Sequence, residues 1–154
     1  MFRNILVAVD GSHLATAALE EAIEMARRTG GRLTLISVAA PIRWRPSGPY
    51  MVPFPTEDEL ARQAQEVVDR AEALVPSDVP ASTLVRSGPA AEAIVKRVDQ
   101  GEHDLVVMGS RGLGRVGSLL LGSVGRAVLA HSPVPVLIHR APAEQSDERV
   151  EAAA

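Results

Sequence analysis

Between residues 109 and 123 the chain reads Gly109-Ser110-Arg111-Gly112-Leu113-Gly114-Arg115-Val116-Gly117-Ser118-Leu119-Leu120-Leu121-Gly122-Ser123. Glycines tolerate positive φ and let a ligand approach the main chain, so successive N–H groups can form an anion-binding nest. A helix opening at the end of the stretch adds unpaired N–H groups and a partial positive charge. Arg111 and Arg115 supply mobile positive charge. The hydroxyls of Ser110 and Ser123 can donate to phosphate or ligate a divalent cation. Together these residue types favour a polyphosphate.

Two familiar phosphate fingerprints fit poorly. Gly112, Gly114 and Gly117 match G-x-G-x-x-G, but they follow a fourth strand rather than a first one. About 20 positions on, where an acidic residue would hold a ribose, stands apolar sequence around Val136. Gly117 to Ser123 resembles a P-loop only without its lysine: Gly122 precedes Ser123, and the sole lysine of the chain is Lys96.

The elements that must position this segment are legible from hydrophobic patterning. Residues 4–9 (Asn4-Ile5-Leu6-Val7-Ala8-Val9) form a continuous apolar run, as in a parallel strand buried on both faces, and end at Asp10-Gly11-Ser12. Helical spacing of Leu14, Ala15, Ala18, Leu19, Ala22 and Ala26 follows, stopped by Gly30-Gly31. Further strands are expected at 32–38, 81–87, 104–108 and 134–139. Thr56 to Glu59 is a capping box opening a helix through Leu60, Ala64, Val67, Val68, Ala71 and Leu74. Pro89 suits the first turn of a helix closed by Gly101, and a last helix runs from the Gly-rich segment to about Ala130. Residues 41–55 hold five of the eleven prolines, Trp44, Tyr50 and Phe54, and are expected to be a loop. After Ala141 the sequence is polar and Ala-rich, an expected disordered tail.

Strict alternation of strand and helix predicts one α/β domain over residues 1–140: a five-stranded parallel sheet between two helical layers, Rossmann-like, whose topologies right-handed crossovers limit. Ligand chemistry belongs where the first and fourth strands end, at Asp10 and Gly109.

Composition narrows the function. The 154 residues carry 3% aromatics, a formal charge of −3 and no cysteine. A base-stacking platform, a basic nucleic-acid surface, a disulfide framework and a thiolate metal site are therefore not expected. No apolar run approaches the ~18 residues of a membrane span, and the N-terminus lacks a secretory pattern, so the expectation is a cytoplasmic protein without a membrane partner. His13, His103, His131 and His139 show no metal-ligand spacing. No metal-ligating or catalytic side chain is assigned.

Gly109-x-x-Gly112, nine residues, then Gly122-Ser123 is the G-2x-G-9x-G-[ST] spacing of the nucleotide-binding branch of the universal stress protein family. Residues 5–12 (ILVAVDGS), Gly88-Pro89-Ala90, residues 104–110 (DLVVMGS) and 131–138 (HSPVPVLI) resemble that family in the expected order, over about residues 3–140. The resemblance implies the strand order 3-2-1-4-5 and ATP, with Mg²⁺ or Mn²⁺, in the crevice between the first and fourth strands. Ala8, Val9 and Asp10 would then flank the nucleoside and Val38 would border the base. Gly109, Ser110, Arg111, Gly112, Leu113 and Gly114, with Gly122 and Ser123, would wrap the phosphates, and Met108, Arg115 and Val124 would also line the nucleotide site. It also implies a homodimer seam on the last strand, at Val134, Val136 and Ile138, with Pro135 tolerated at an edge. Gly125 departs from the Ala, Ser or Thr the resemblance leads one to expect, and disfavours helix by up to ~1 kcal/mol.

Each residue has a plainer alternative. Asp10 could cap the following helix, the glycines could be a tight turn, the arginines could be solvated, and Trp44 and Tyr50 could pin a loop. The implied function is a nucleotide-dependent stress-response regulatory or sensor module with an unidentified protein partner. The alternatives are a slow ATPase or autophosphorylating enzyme using Ser110 or Ser123, and a nucleotide-free dimeric interaction protein.

Overall fold

A computed structural model describes residues 1–41, 54–110 and 121–140. The expected 41–55 loop, with Trp44 and Tyr50, lies almost wholly outside them, as does the tail after Arg140. The elements in chain order are β1 (Asn4–Ala8), α1 (His13–Thr29), β2 (Arg32–Ala39), α2 (Glu57–Glu72), β3 (Ala81–Ser87), α3 (Ala90–Gln100), β4 (Leu105–Gly109), α4 (Ser123–His131) and β5 (Val136–His139). The sheet is parallel throughout, in the order β3-β2-β1-β4-β5.

Residue parity sorts the side chains to two faces. Ile5, Val7, Val9, Leu33, Leu35, Leu105 and Val107 pack under α1 and α2, against Ala18, Leu19, Ala22, Val68 and Ala71. Leu6, Ile36, Val106 and Met108 pack under α3 and α4, against Ile94, Val98 and Val128. Every residue of β4 is buried, which is why it reads as an unbroken apolar run. Each fully buried Leu or Ile contributes roughly 1.5–3 kcal/mol, so aliphatics alone suffice for this core.

Element ends follow local chemistry. Ser12 caps α1, its side chain accepting from Ala15 N, and Gly30 ends that helix in the left-handed conformation at φ 65°. The Thr56–Glu59 capping box is formed in both directions: Glu59 N–H donates to Thr56 Oγ1 at 3.2 Å, and Thr56 N–H to the Glu59 carboxylate at 2.6 Å. Those bonds also hold the Glu59 carboxyl below its usual value. Several boundaries differ from expectation: β2 runs one residue beyond 38, β4 is Leu105–Gly109 rather than 104–108, and α2 stops at Glu72, short of Leu74. Val9 lies past the end of β1, although its N–H still donates to Ile36 C=O at 2.9 Å. Pro89 is the N-cap of α3 rather than a first-turn residue. β5 begins at Val136, not Val134, because Ser132 Oγ folds residues 132–134 into a turn, accepting from Val134 N and donating to Val134 C=O.

Close packing explains one glycine outright. A Cβ on Gly109 would stand 2.8 Å from the Leu14 carbonyl carbon and 2.9 Å from Ala15 N. The obstacle is helix backbone, which no rotamer change can move. Gly109→Ala is expected to destabilise the fold by about 3 kcal/mol in urea unfolding, at the upper end of overpacking costs.

At the opposite edge of the sheet, Asp104 accepts from Arg3 N–H at 2.8 Å and Asn4 N–H at 3.0 Å. Beside it His103 is half-buried, and its Nδ1 and the Arg97 Nε have no hydrogen-bond partner among the described residues. Burial, then the charge of Arg97, push the His103 imidazole below its ordinary value of 6.5, opposed by an Arg97 main-chain bond and by Asp104. The unfolded chain therefore binds a proton here before the folded one does, so stability falls as pH drops below the unfolded value. His103→Asn should flatten the fall in melting temperature between about pH 7 and about pH 5.5 relative to the parent.

Candidate functional site

β1 and β4 lie side by side, with Ala8 opposite Met108 in register. Both strands end at the same edge, where the order of connections reverses. Beyond β1 the chain turns through Asp10, Gly11 and Ser12 into α1. Asp10 Oδ1 accepts from Ser12 N–H at 2.9 Å, and Gly11 takes φ 82°, a conformation that favours glycine. Asp10 is thus not the helix cap; Ser12 is, and Asp10 shapes the turn that leads to it. One carboxylate oxygen serves that turn, leaving the other available to a ligand.

Beyond β4, Ser110 is a junction. Its N–H donates to His139 C=O at 2.8 Å, and its C=O accepts from Gly122 N–H at 2.8 Å. The second bond brings the chain back after residues 111–121 and sets Gly122 and Ser123 beside the end of β4. α4 starts there with Gly122 as N-cap and no side-chain cap bond. α3 likewise starts at Pro89 without one. The two helices on the opposite face, α1 and α2, are both capped by hydroxyl side chains. On the α3/α4 face, then, neither N-cap residue, Pro89 or Gly122, supplies a side-chain cap bond.

The apolar wall lies on that same face. Ala8, Val38, Met108 and Val124 all pack on the cluster formed with α3 and α4. The structure thus gathers Ala8, Asp10, Val38, Met108, Gly109, Ser110, Gly122, Ser123 and Val124 at one edge. Val9 does not join them: its side chain is buried in the other cluster, so only its main chain could meet a ligand. Gly109 turns its missing side chain toward α1, a scaffold reason for glycine that is independent of phosphate. Arg111, Gly112, Leu113, Gly114 and Arg115 lie outside the described residues. Arg126 is exposed in the first turn of α4, three residues after Ser123.

No group of three or more His, Asp or Glu suited to a metal occurs among the described residues. Nor is any helix among them long and apolar enough to cross a membrane. A cavity of about 130 Å³ lies between α1 and α2, lined by Val9, Gly11, Leu19, Val67 and Leu74 among others. Its lining is mostly apolar, with Thr16 and Arg70 as its polar side chains.

The Asp10 geometry separates scaffold from charge. Asparagine retains the oxygen that accepts from Ser12 N–H, whereas alanine removes it. Asp10→Asn should leave urea stability within about 0.5 kcal/mol of the parent, and Asp10→Ala should cost about 1 kcal/mol.

The family model of the universal stress protein family matches residues 1–140. A Thermus aquaticus protein, "Universal stress protein in QAH/OAS sulfhydrylase 3'region", is 39% identical over 142 residues, 91% of this chain and 100% of that protein. Among solved structures, a universal stress protein in complex with cAMP is 26% identical with a TM-score of 0.59, covering 89% of this chain and 96% of that one. An Archaeoglobus fulgidus universal stress protein in complex with dAMP superimposes with a TM-score of 0.66 at 23% identity, over 89% of this chain and 97% of that one, a likeness of fold.

Proposed function

Because the chain belongs to the universal stress protein family, we propose that it binds ATP, with Mg²⁺ or Mn²⁺, at the β1–β4 edge and acts as a nucleotide-dependent stress-response regulatory module. The observation that carries this reading is the Ser110–Gly122 bond, which sets a helix N-terminus without a side-chain cap against the strand ends, beside an apolar wall. The residues present fit the group. Ala8, Val38 and Met108 would cover the base, and the free oxygen of Asp10 would accept from the sugar or base. With the Gly122 N–H held by Ser110, the Ser123 N–H and hydroxyl and the glycines of residues 109–114 would hold the phosphates. The Ser123 or Ser110 hydroxyl would be available to the cation, whose charge would offset that of the phosphates. The cAMP and dAMP complexes of relatives support adenine nucleotides as the class.

Magnitudes require the whole constellation. Micromolar affinity needs about −8 kcal/mol, whereas a helix terminus offers an anion only ~0.3–2 kcal/mol. Burial of the base must supply much of the remainder.

We further propose a homodimer through β5, working in the cytoplasm. β5 is an edge strand, and its four residues are only half-buried in the single chain. Val136 and Ile138 lie in it and Val134 precedes it, in the turn; all three are partly buried against the α3/α4 cluster.

Calorimetric titration with ATP and Mg²⁺ is expected to show saturable binding near one nucleotide per chain, weakened about tenfold in Asp10→Asn by loss of a charged acceptor. Phosphate release during the titration would favour the slow-ATPase alternative. A flat titration, on protein that mass spectrometry shows free of copurified nucleotide, would overturn the proposal and leave a dimeric interaction protein.

A further inference from the structure

Gly125 sits in the first turn of α4, where glycine is a poor helix former. Its backbone does not call for glycine: the positive-φ glycines among the described residues are Gly11, Gly30 and Gly88. What calls for it is space. Gly125 is buried, and a Cβ there would stand 2.7 Å from Leu121 Cδ1 and 3.1 Å from Leu121 Cγ. The Leu121 side chain therefore lies on the helix turn at the spot any larger residue 125 would fill. Leu121 immediately precedes Gly122, whose N–H makes the 2.8 Å bond to Ser110 C=O. A side chain before the N-cap that packs onto the first turn fixes the angle at which the chain enters the helix.

We propose that Leu121 and Gly125 are a positioning pair: Leu121, seated on Gly125, holds Gly122 and Ser123 in the geometry that receives phosphate. The purpose of the seat rests on the nucleotide-binding reading above; the seat itself rests on packing. Its loss would leave α4 intact, because the overlap involves the end of a flexible side chain that can swing aside. Loss would lower the fraction of molecules in which Gly122 is in place, and apparent affinity falls by that fraction.

The test uses the full chain, first without nucleotide and then titrated with ATP and Mg²⁺. In Gly125→Ala the melting temperature should be unchanged or higher, since alanine favours helix. The Gly122 amide should nonetheless exchange its hydrogen about tenfold faster, and ATP should bind about tenfold more weakly. Leu121→Ala should reproduce both losses. The double variant should lose no more than Leu121→Ala alone, because alanine at 125 can only evict a leucine that is present. Parental exchange at Gly122 in Gly125→Ala, or losses that add in the double variant, would overturn the seat. The expected exchange pattern in a protein that takes up no ATP would sustain the seat and refute the nucleotide reading instead.

Discussion

Ser110 contributes two main-chain hydrogen bonds, and the organisation of the site hangs on them. Through its N–H it continues the β4–β5 ladder to His139; through its C=O it receives Gly122 after an excursion of eleven residues. Loop closure of that length costs entropy whatever the loop contains. A backbone bond at a buried residue is a suitable clasp, since an unpaired carbonyl there would be costly. The bond to Gly122 thus joins the start of α4 to the end of β4, alongside the packing of Val124 and Val128 on the cluster that holds Met108.

The two sides of the sheet divide the remaining work. Under α1 and α2 the helix starts are closed by side chains: Ser12 on α1, the Thr56–Glu59 box on α2. The close approach of α1 to Gly109 belongs to this side, and it sets where β4 ends. Under α3 and α4 the helix starts carry no side-chain cap, and the apolar cluster reaches the strand ends through Ala8, Val38, Met108 and Val124. A rigid half thus fixes the edge of the sheet, and the other half offers donors and apolar surface at that edge. Asp10 joins the two, because its carboxylate shapes the turn into the capped helix while standing at the end of the central strand.

Much of this was legible in the sequence because the signals were local. Continuous apolar runs marked buried parallel strands, Thr56 to Glu59 marked a helix start, and Gly30 marked a helix end. Strand order followed from strict alternation together with the resemblance. What escaped was set by tertiary geometry. The apolar run from residue 4 to residue 9 does not disclose that Val9 turns to the core opposite Ala8 and outlives its strand. Val134 looks like strand until the Ser132 hydroxyl captures its backbone, and Pro135, lacking an N–H, does not oppose that turn. Pro89 satisfied the rule for a first turn equally well as an N-cap. Glycine at 109 read as phosphate chemistry because sequence carries no trace of a helix backbone passing within van der Waals contact of it.

The same consideration bears on β5. A four-residue strand at the edge of a sheet has few hydrogen bonds to hold it, yet both its flanks are committed: Pro135 C=O accepts from Val106 N–H at one end, and His139 C=O from Ser110 N–H at the other. The second of these shares its residue with the clasp on Gly122. Position of the edge strand and position of the α4 N-terminus are therefore set through one peptide unit on each side of Ser110. Whatever pairs with the free edge of β5 acts on a strand whose last carbonyl is one residue removed from the site. Coupling between an edge and a site needs a contiguous physical element with two arrangements. In this fold the candidate for that element is short, and it is main chain from end to end.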